Sequence, residues 1–531
     1  MKNNVLTVWG SGQLLAFSGL DGETKFGKSL VLRTALSGVA IEIKIPENGG
    51  TLVLPEKPVE SLLLAGDFFR ISFSGGSSVC GAFVDSFHFL VSGDVSFECG
   101  KSMQCCRKND MLLIGHEECF QPELLESSLE QVIADRRRFL DSLTFPPNAD
   151  TALWKAASQL KTQCCSAEGQ IHHLWSTPDR WPHARMWLWD SVFHAAGMRH
   201  INPETARSFL LAVFDLQQPD GFIPHAMDPY KHSSITQPPV LALGAQLIQE
   251  KDPSPEFIAG IYPKLVKFLQ WIRENRDSDG GGLVEWAIEA DANCRSGESG
   301  MDNSPRFDDA IQLDAPDFNA FLAHEYEIIA GFAEELGLTD EAESHRKTAA
   351  EINRLMNERL WNDAAGFYVD LDVVNQKQSA VLASSGFLPL LSGAPDAEKL
   401  ERMLTHLAVP GSFGTAFPVP SISRQCEKYY SKDMWRGPVW ICMNWLIIRG
   451  LKRCNRHAEA EQLRIKTVTE LEKYYHRCGT FFEFYDDRGE LPPPQLLRKG
   501  RCAPEISPYH QAFSDFGWSA TLYIDMAMQS F

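Results

Sequence analysis

Two textures divide this sequence and together predict a mainly α protein, an antiparallel helical toroid preceded by an N-terminal antiparallel β-sandwich. Up to about Gly115, short alternating or β-branched runs recur between Gly-Gly and Ser-Gly turns. That is the pattern of half-buried antiparallel strands. Beyond about Ala149, amphipathic stretches of helical length take over, joined by long loops rich in glycine, proline and aromatic residues. Such loops, held on one rim of a helical scaffold, are where function concentrates.

In chain order, the strand signals include Leu30–Thr34, Val39–Ile45 and Phe69–Phe73. Glu123 to Leu143 carries charges and leucines at helical spacing and ends at Phe145-Pro146-Pro147, which places a linker helix between the domains. The expected division is therefore a β-sandwich over 1–120, a linker helix over 121–148 and a helical domain over 149–531. Within the last, helices are expected at Ala152–Cys165, Trp189–His200, Glu204–Leu216, Pro255–Asn275, Pro316–Leu336, Asp340–Arg359, Ala397–Leu407, Pro438–Cys454 and His457–His476. No fixed period of ~30–50 residues runs through them, which argues against a solenoid.

Composition narrows the function. The chain has 531 residues, more than one ordinary core, and 69 Asp+Glu against 50 Lys+Arg give a net charge of −19. That charge repels nucleic acid and anionic membrane surfaces, and no block of Lys/Arg offsets it. No run of about 18 apolar residues predicts a spanning helix, and Met1–Leu20 lacks the continuous apolar core of a secretory signal. The 13 cysteines are odd in number and include the adjacent pairs Cys105-Cys106 and Cys164-Cys165. They show neither a disulfide framework nor metal spacing, so reduced thiols and a cytoplasmic location are expected.

Four clusters suggest chemistry. Gly297 to Asp308 crowds acidic residues, among them Glu298, and Arg306 into a run too polar and glycine-rich for a core, and Asn303-Ser304-Pro305 fixes a turn just after Asp302. In isolation that segment reads more readily as an Asx-turn in which Asp302 or Asn303 bonds its own backbone, and it is the rest of the chain that favours a functional loop. Trp187, Trp189 and Asp190 pair indole faces with a carboxylate, a combination that stacks on a sugar's C–H surface and bonds its hydroxyls, although tryptophans at this spacing also pack cores. The loops Gln217–His225 and Thr236–Pro239 are loaded with amides and suit a neutral, hydroxyl-rich ligand. Phe481-Phe482-Glu483-Phe484-Tyr485 sets one carboxylate among four aromatics, in a water-poor setting that perturbs a carboxyl. Asp277-Ser278-Asp279-Gly280-Gly281-Gly282 lacks the later ligands of a calcium loop and reads as a glycine-rich turn. No metal is expected.

Two carboxylates distant in sequence, several tryptophans and neutral amides outline a glycosidase site. The set S-G-M-D-N-S-P-R at 299–306, W-x-W-D at 187–190, T-Q-P-P at 236–239, W-R-G-P-V-W at 435–440, the run around Glu483 and F-G-W-S-A at 516–520 resembles glycoside hydrolase family 63 and its bacterial mannosylglycerate and glucosylglycerate hydrolase relatives. The match spans about residues 150–531, with the motifs in order. The resemblance implies an (α/α)6 barrel and an inverting α-glycosidase that needs no cofactor and acts on a small carbohydrate. It implies Asp302 as general acid, with an environment that keeps it protonated, and an ionised Glu483 as general base. It further implies Asp190 gripping the sugar, with Trp189, Gln237, Trp435 and Arg436 around it, and Trp187, Glu298, Arg306, Trp440 and Trp518 as further substrate contacts.

The sequence also departs from that pattern. Met434 replaces the tyrosine that commonly precedes W-R-G-P, and Phe307 replaces the tryptophan often found after S-P-R. Between Asp486 and Phe516 lies a basic segment, Arg498-Lys499-Gly500-Arg501. It suits either contact with an anionic aglycone or a solvated loop, and the solvated loop is the expectation. Two other functions compete: a carbohydrate-binding barrel without catalysis, and a glycoside phosphorylase of the same toroid fold, which would need a phosphate pocket in place of the base.

Overall fold

The computed structural model describes residues 6–36, 42–45, 50–500 and 511–529. The first part of the strand expected at 39–45, and Arg501, lie outside the described residues.

Among the described residues, eleven strands precede the first α-helix, β1 (Leu14–Ala16), β2 (Val31–Thr34), β3 (Glu42–Ile45), β4 (Gly50–Val53), β5 (Val59–Leu64), β6 (Phe68–Phe73), β7 (Ser78–Phe83), β8 (His88–Ser92), β9 (Ser96–Cys99), β10 (Met103–Lys108) and β11 (Met111–His116). They form two antiparallel sheets, ordered β1-β2-β3-β4-β9 and β10-β11-β8-β7-β6-β5. Alternation decides which residues fill the space between the sheets: Phe69, Ile71 and Phe73 of β6 point inward with Phe89, Val91, Leu112 and Ile114 to meet Leu15, Leu32 and Leu52. The opposite face of the second sheet is buried too, because Phe68, Ala82, Leu90 and Leu113 join the main core together with α1 (Leu129–Ser142).

The remaining helices are α2 (Ala152–Thr162), α3 (Leu188–Met198), α4 (Pro203–Asp215), α5 (Leu241–Lys251), α6 (Pro255–Arg276), α7 (Pro316–Glu335), α8 (Thr339–Arg359), α9 (Pro389–Ser392), α10 (Ala397–Ala408), α11 (Ile441–Arg453), α12 (His457–Cys478) and α13 (Gly517–Met528). Their packing is cyclic. α3 packs on α5, α5 on α7, α7 on α9, α9 on α11, α11 on α13, and α13 returns to α3, while α4, α6, α8, α12 and α2 pack outside this ring. α3 is buried along its whole length and α13 almost so, as helices surrounded by helices must be. Outer helices begin with sequence-readable caps: Asn202, Ser254 and Asp396 each accept a backbone N–H in the first turn of α4, α6 and α10.

The ring closes on Asp525 of α13. Its carboxylate accepts from Arg199 Nη2 at 2.9 Å and His200 Nε2 at 2.8 Å at the end of α3, and from Trp445 Nε1 of α11 at 2.8 Å. Burial alone would push this carboxyl up, but the hydrogen bond from His200 and the charges of Arg199 and His200 hold it well below the usual range.

The β-sandwich docks on α2. Lys161, buried, reaches Asp67 at 2.5 Å and Asp21 at 2.8 Å, and Gly66 N donates to Ser158 Oγ at 2.9 Å. Arg180, in the loop leading to α3, donates to the carbonyl oxygens of Phe17 and Thr162, both at 2.9 Å. No helix among the described residues is long and apolar enough to cross a membrane.

Asp525→Ala would leave Arg199 Nη2, His200 Nε2 and Trp445 Nε1 without their shared acceptor, while Arg199 Nη1 keeps Leu247 O and Glu250. We expect a loss of about 3–5 kcal/mol, the range for breaking a buried pair, read as a lower urea midpoint.

Candidate active site

Loops at one rim of the ring converge on a cavity of about 220 Å³. It is small beside the ~300–1,000 Å³ of sites for larger ligands.

The loop carrying Asp302 is built by close contacts. Gly300 has φ 70°, and its Cα lies so near the Trp189 indole that any side chain there would collide with the ring. Ser304 N donates to Met301 O at 2.9 Å and Phe307 N to Ser304 O at 3.1 Å, forming the turn that Asn-Ser-Pro predicts. Arg295 knits the loop together by donating to the carbonyl oxygens of Phe307, Glu289 and Ala310. Asn303 points away from Asp302. Its amide donates to Asp433 Oδ1 at 3.2 Å and its oxygen accepts from Trp435 N at 3.0 Å, which binds this loop to the segment before α11.

Glu483 sits on an extended segment whose flanking aromatics, Phe481, Phe482, Phe484 and Tyr485, are all fully buried. Tyr485 pairs with Val439 through two backbone hydrogen bonds, at 2.8 and 3.0 Å, and Glu483 N donates to Phe513 O at 2.8 Å. Alternation along this segment leaves the Glu483 side chain facing the cavity.

Tryptophans dominate the remaining wall. Trp435 and Trp440 stack with centroids 3.9 Å apart and planes within 3°, Trp518 stands edge-on to both Trp440 and Trp189, and Trp187 packs edge-on against His225. The indole N–H groups of Trp187, Trp435 and Trp518 are buried and meet no acceptor among the described residues. Asp190 lies in the first turn of α3, and Gln237 accepts from Trp189 N at 3.1 Å, which orients that turn. Burial pushes the Asp190 carboxyl well above its ordinary range, and the charges of Asp179 and Glu483 add to the effect. Burial also pushes His225 down to about 4, leaving a neutral imidazole at pH 7. Cys294 is pushed up to about 12, chiefly by burial and next by the charge of Asp302.

Of the residues nominated from sequence, Asp302, Glu483, Trp187, Trp189, Asp190, Gln237, Trp435, Trp440 and Trp518 line this one cavity. Three do not, and the expected substrate contacts from them are corrected. Arg306 is fully buried, with Nη1 at 2.6 Å from Asp317 and Nε at 2.9 Å from Asp370. Glu298 is buried against Arg276 at 2.9 Å and the Ala287 N–H at 3.0 Å. Arg436 points to Asp308. All three tie the rim together behind the cavity wall.

The reverse correction concerns the basic segment. Arg498 and Lys499, expected on a solvated loop, line the cavity. Lys499 Nζ is 2.7 Å from Asp302 Oδ2, and Arg498 Nε lies 3.2 and 3.3 Å from the two Glu483 oxygens. His183 also lines the wall, unanticipated. Its Nδ1 is 2.8 Å from Asp179, and its Nε2 faces Arg498 Nη2 at 3.3 Å. The only hint in the sequence is the spacing of Asp179 and His183 by four residues. Among the described residues, none of the β-sandwich lines the cavity. The sandwich braces the site from behind: it holds the Arg180–Trp181 stretch, where Arg33 also lies over the Trp181 ring at 5.4 Å, and Ser11 N donates at 2.8 Å to Cys478 O, five residues before Glu483.

Asp277, Asp279 and Glu285 bring carboxylate oxygens within 4.8 Å of one another. Asp277 and Asp279 accept the N–H groups of Gly282 and Gly281, so the glycine-rich turn organises them.

The family profile for "Mannosylglycerate hydrolase MGH1-like glycoside hydrolase domain" matches residues 182–519. The mannosylglycerate hydrolase of Thermus thermophilus is 26% identical over 378 residues, 56% of this chain and 88% of that protein. The solved structure of a family 63 mannosylglycerate hydrolase from Thermus thermophilus, in complex with Tris and D-glycerate, is similar at 25% identity with a TM-score of 0.57, covering 70% of this chain and 99% of that one. A bacterial glucoamylase complexed with acarbose shares the fold across 98% of this chain and 95% of its own, with a TM-score of 0.60 at 11% identity.

Asn303→Ala would release the Asp302 loop from Asp433 and Trp435. Two lost hydrogen bonds, one to a charged group, are together worth about 2–4 kcal/mol. We expect a lower melting temperature and, at a temperature where the variant is folded, a reduced kcat.

Proposed function

Because the chain belongs to the mannosylglycerate hydrolase MGH1-like glycoside hydrolase family, we propose that this glycoside hydrolase cleaves a small α-linked glucoside or mannoside with inversion, with Asp302 as general acid and Glu483 as general base. The observation that carries the reading is that these two carboxylates, far apart in sequence, face one small cavity walled by indoles. The cyclic helix packing is read as an (α/α)6 toroid.

In this reading a pyranose occupies the cavity with its C–H faces against the tryptophans. Asp190 and the indole N–H groups of Trp187, Trp435 and Trp518 meet its hydroxyls, and these are buried polar groups that a hydroxyl-rich ligand would satisfy. Asp302 protonates the glycosidic oxygen as the C–O bond breaks, while Glu483 takes a proton from the water that attacks the anomeric carbon from the other face. Inversion requires the two carboxyl groups to be about 6.5–9.5 Å apart so that this water fits. The reaction needs no cofactor. A glycosylglycerate is the substrate class we favour: relatives carry the name mannosylglycerate hydrolase, and Arg498 and Lys499 put positive charge inside the cavity of a protein whose net charge is −19.

The test is hydrolysis of a panel of α-glucosides, α-mannosides and their glycerate conjugates, with the anomer of the released sugar followed by NMR. We expect the β-anomer first, and a fall of about 10²–10⁴ in kcat for Asp302→Ala and for Glu483→Ala. Retention of the α-configuration, or a sugar phosphate released only when phosphate is added, would overturn the mechanism. Sugar binding without turnover on any substrate would leave a binding barrel.

A further inference from the structure

Each of the two carboxylates faces a cation, and the two pairings differ in chemical consequence. A general base must accept a proton from water, and Arg498 Nε lies 3.2 Å from Glu483 Oε2 without being consumed in that step. A general acid must donate a proton, and an ammonium 2.7 Å from Asp302 Oδ2 occupies the place where that oxygen would donate. The acid and Lys499 cannot stay paired through a catalytic cycle.

Resting on the hydrolytic reading above, we propose that Lys499, steadied by Arg498, is a specificity-determining charge latch: without substrate it pairs with Asp302, and it moves to an anionic group on the aglycone when the right substrate binds.

The latch is anchored where its backbone is concerned. Leu497 N donates to Lys432 O at 3.1 Å, and Met434 N donates to Leu497 O at 3.0 Å. The carboxylate of Asp433 accepts the N–H groups of both Lys499 and Gly500 and is itself held by Asn303, the neighbour of Asp302. Lys499 has φ 62°, a left-handed conformation that a side-chain-bearing residue keeps only where its surroundings enforce it. Arg498 is fixed as well: it lies over the Phe513 ring at 4.8 Å, next to Glu483 and the Nε2 atom of His183. Arg498 therefore stays where it is, whereas the lysine ammonium sits on a flexible four-carbon stem. It can change partners with no movement of the main chain.

The substrate class follows from the charge. A neutral aglycone offers nothing to draw the ammonium away. A carboxylate on the aglycone enters next to the glycosidic oxygen, which is where Asp302 and Lys499 meet. When the ammonium transfers to that carboxylate, Asp302 takes a proton from solvent and then gives it to the leaving oxygen as the glycosidic C–O bond breaks. Glu483 takes a proton from the attacking water and returns it to solvent. The site thus gains one proton when substrate binds and regains its resting charge on release.

The experiment compares kcat/KM on an α-glycosylglycerate and on the matching glycosylglycerol, which differ only in carboxylate against hydroxymethyl, for wild type, Lys499→Met and Lys499→Arg. We expect wild type to favour the anionic substrate. Lys499→Met should lose about 10–100-fold on it, the worth of a charged hydrogen bond, and should gain on the neutral one, while Lys499→Arg keeps the wild-type order. Equal losses on both substrates would overturn the latch, because a merely structural lysine would produce that pattern. Calorimetry with D-glycerate, and with glycerol as control, works without turnover. Tighter binding of D-glycerate that weakens about tenfold in Lys499→Met supports the latch even if hydrolysis fails. Equal affinity in the two proteins overturns it even if hydrolysis succeeds.

Discussion

The guanidinium of Arg306 is the tie on which the geometry of the rim depends. It is completely buried and divides its donors between Asp317, in the first turn of α7, and Asp370, in a loop far along the chain. Four residues earlier comes Asp302. A loop of glycines, polar residues and a proline has little apolar surface of its own to bury, so its position comes from such bonds. One cation satisfied by two buried carboxylates is a costly arrangement to take out of water, and breaking it would cost more still. It therefore serves to fix a position and adds little net stability. Gly300 against the Trp189 ring, and Asn303 between Asp433 and Trp435, fix the same loop on its other two sides.

These ties run between helices of the inner ring and the loops above them, so the ring and the cavity form one mechanical unit. Trp189 and Asp190 belong to α3, Trp440 is the residue before α11, and Trp518 is the second residue of α13. The cavity floor is thus made by the first turns of ring helices, and Asp302 and Glu483 are supplied from above by loops that those helices brace. The two cavity carboxylates thus ride on loops and the rigid wall on helices, a division that lets the loops change without refolding the scaffold.

Much of this was legible in the sequence, and the parts that were not share a physical cause. The outer helices α4, α6, α8, α10 and α12 show an apolar stripe and were expected close to where they lie. The ring helices α5, α9 and α13 were not expected. They are enclosed by neighbours, so α5 and α13 are apolar around most of their circumference and carry little periodicity, and α9 is a single turn. In the cavity, aromatic residues next to carboxylates were a sound guide to the lining. Charged residues in loops were not. Arg306 and Glu298 look like ligand contacts and Arg498 and Lys499 like solvated surface, because what separates the two cases is the partner. Asp317 and Asp370 for Arg306, Arg276 for Glu298, and Glu483 and Asp302 for Arg498 and Lys499, are joined to them only by the fold.

The closure of the ring by α13 also sets an order of events. Asp525 must reach Arg199, His200 and Trp445, and Trp518 must reach Trp189 and Trp440, before the cavity has a floor. During synthesis α3 therefore leaves the ribosome more than three hundred residues ahead of the helix that covers it. The side that meets α13 stays open for most of translation, although α4 and α5 can cover the others early, and such an exposure leaves a nascent chain vulnerable to aggregation. α5 is covered far sooner, by α7, so the face of α3 that receives α13 is the last part of the ring to be buried.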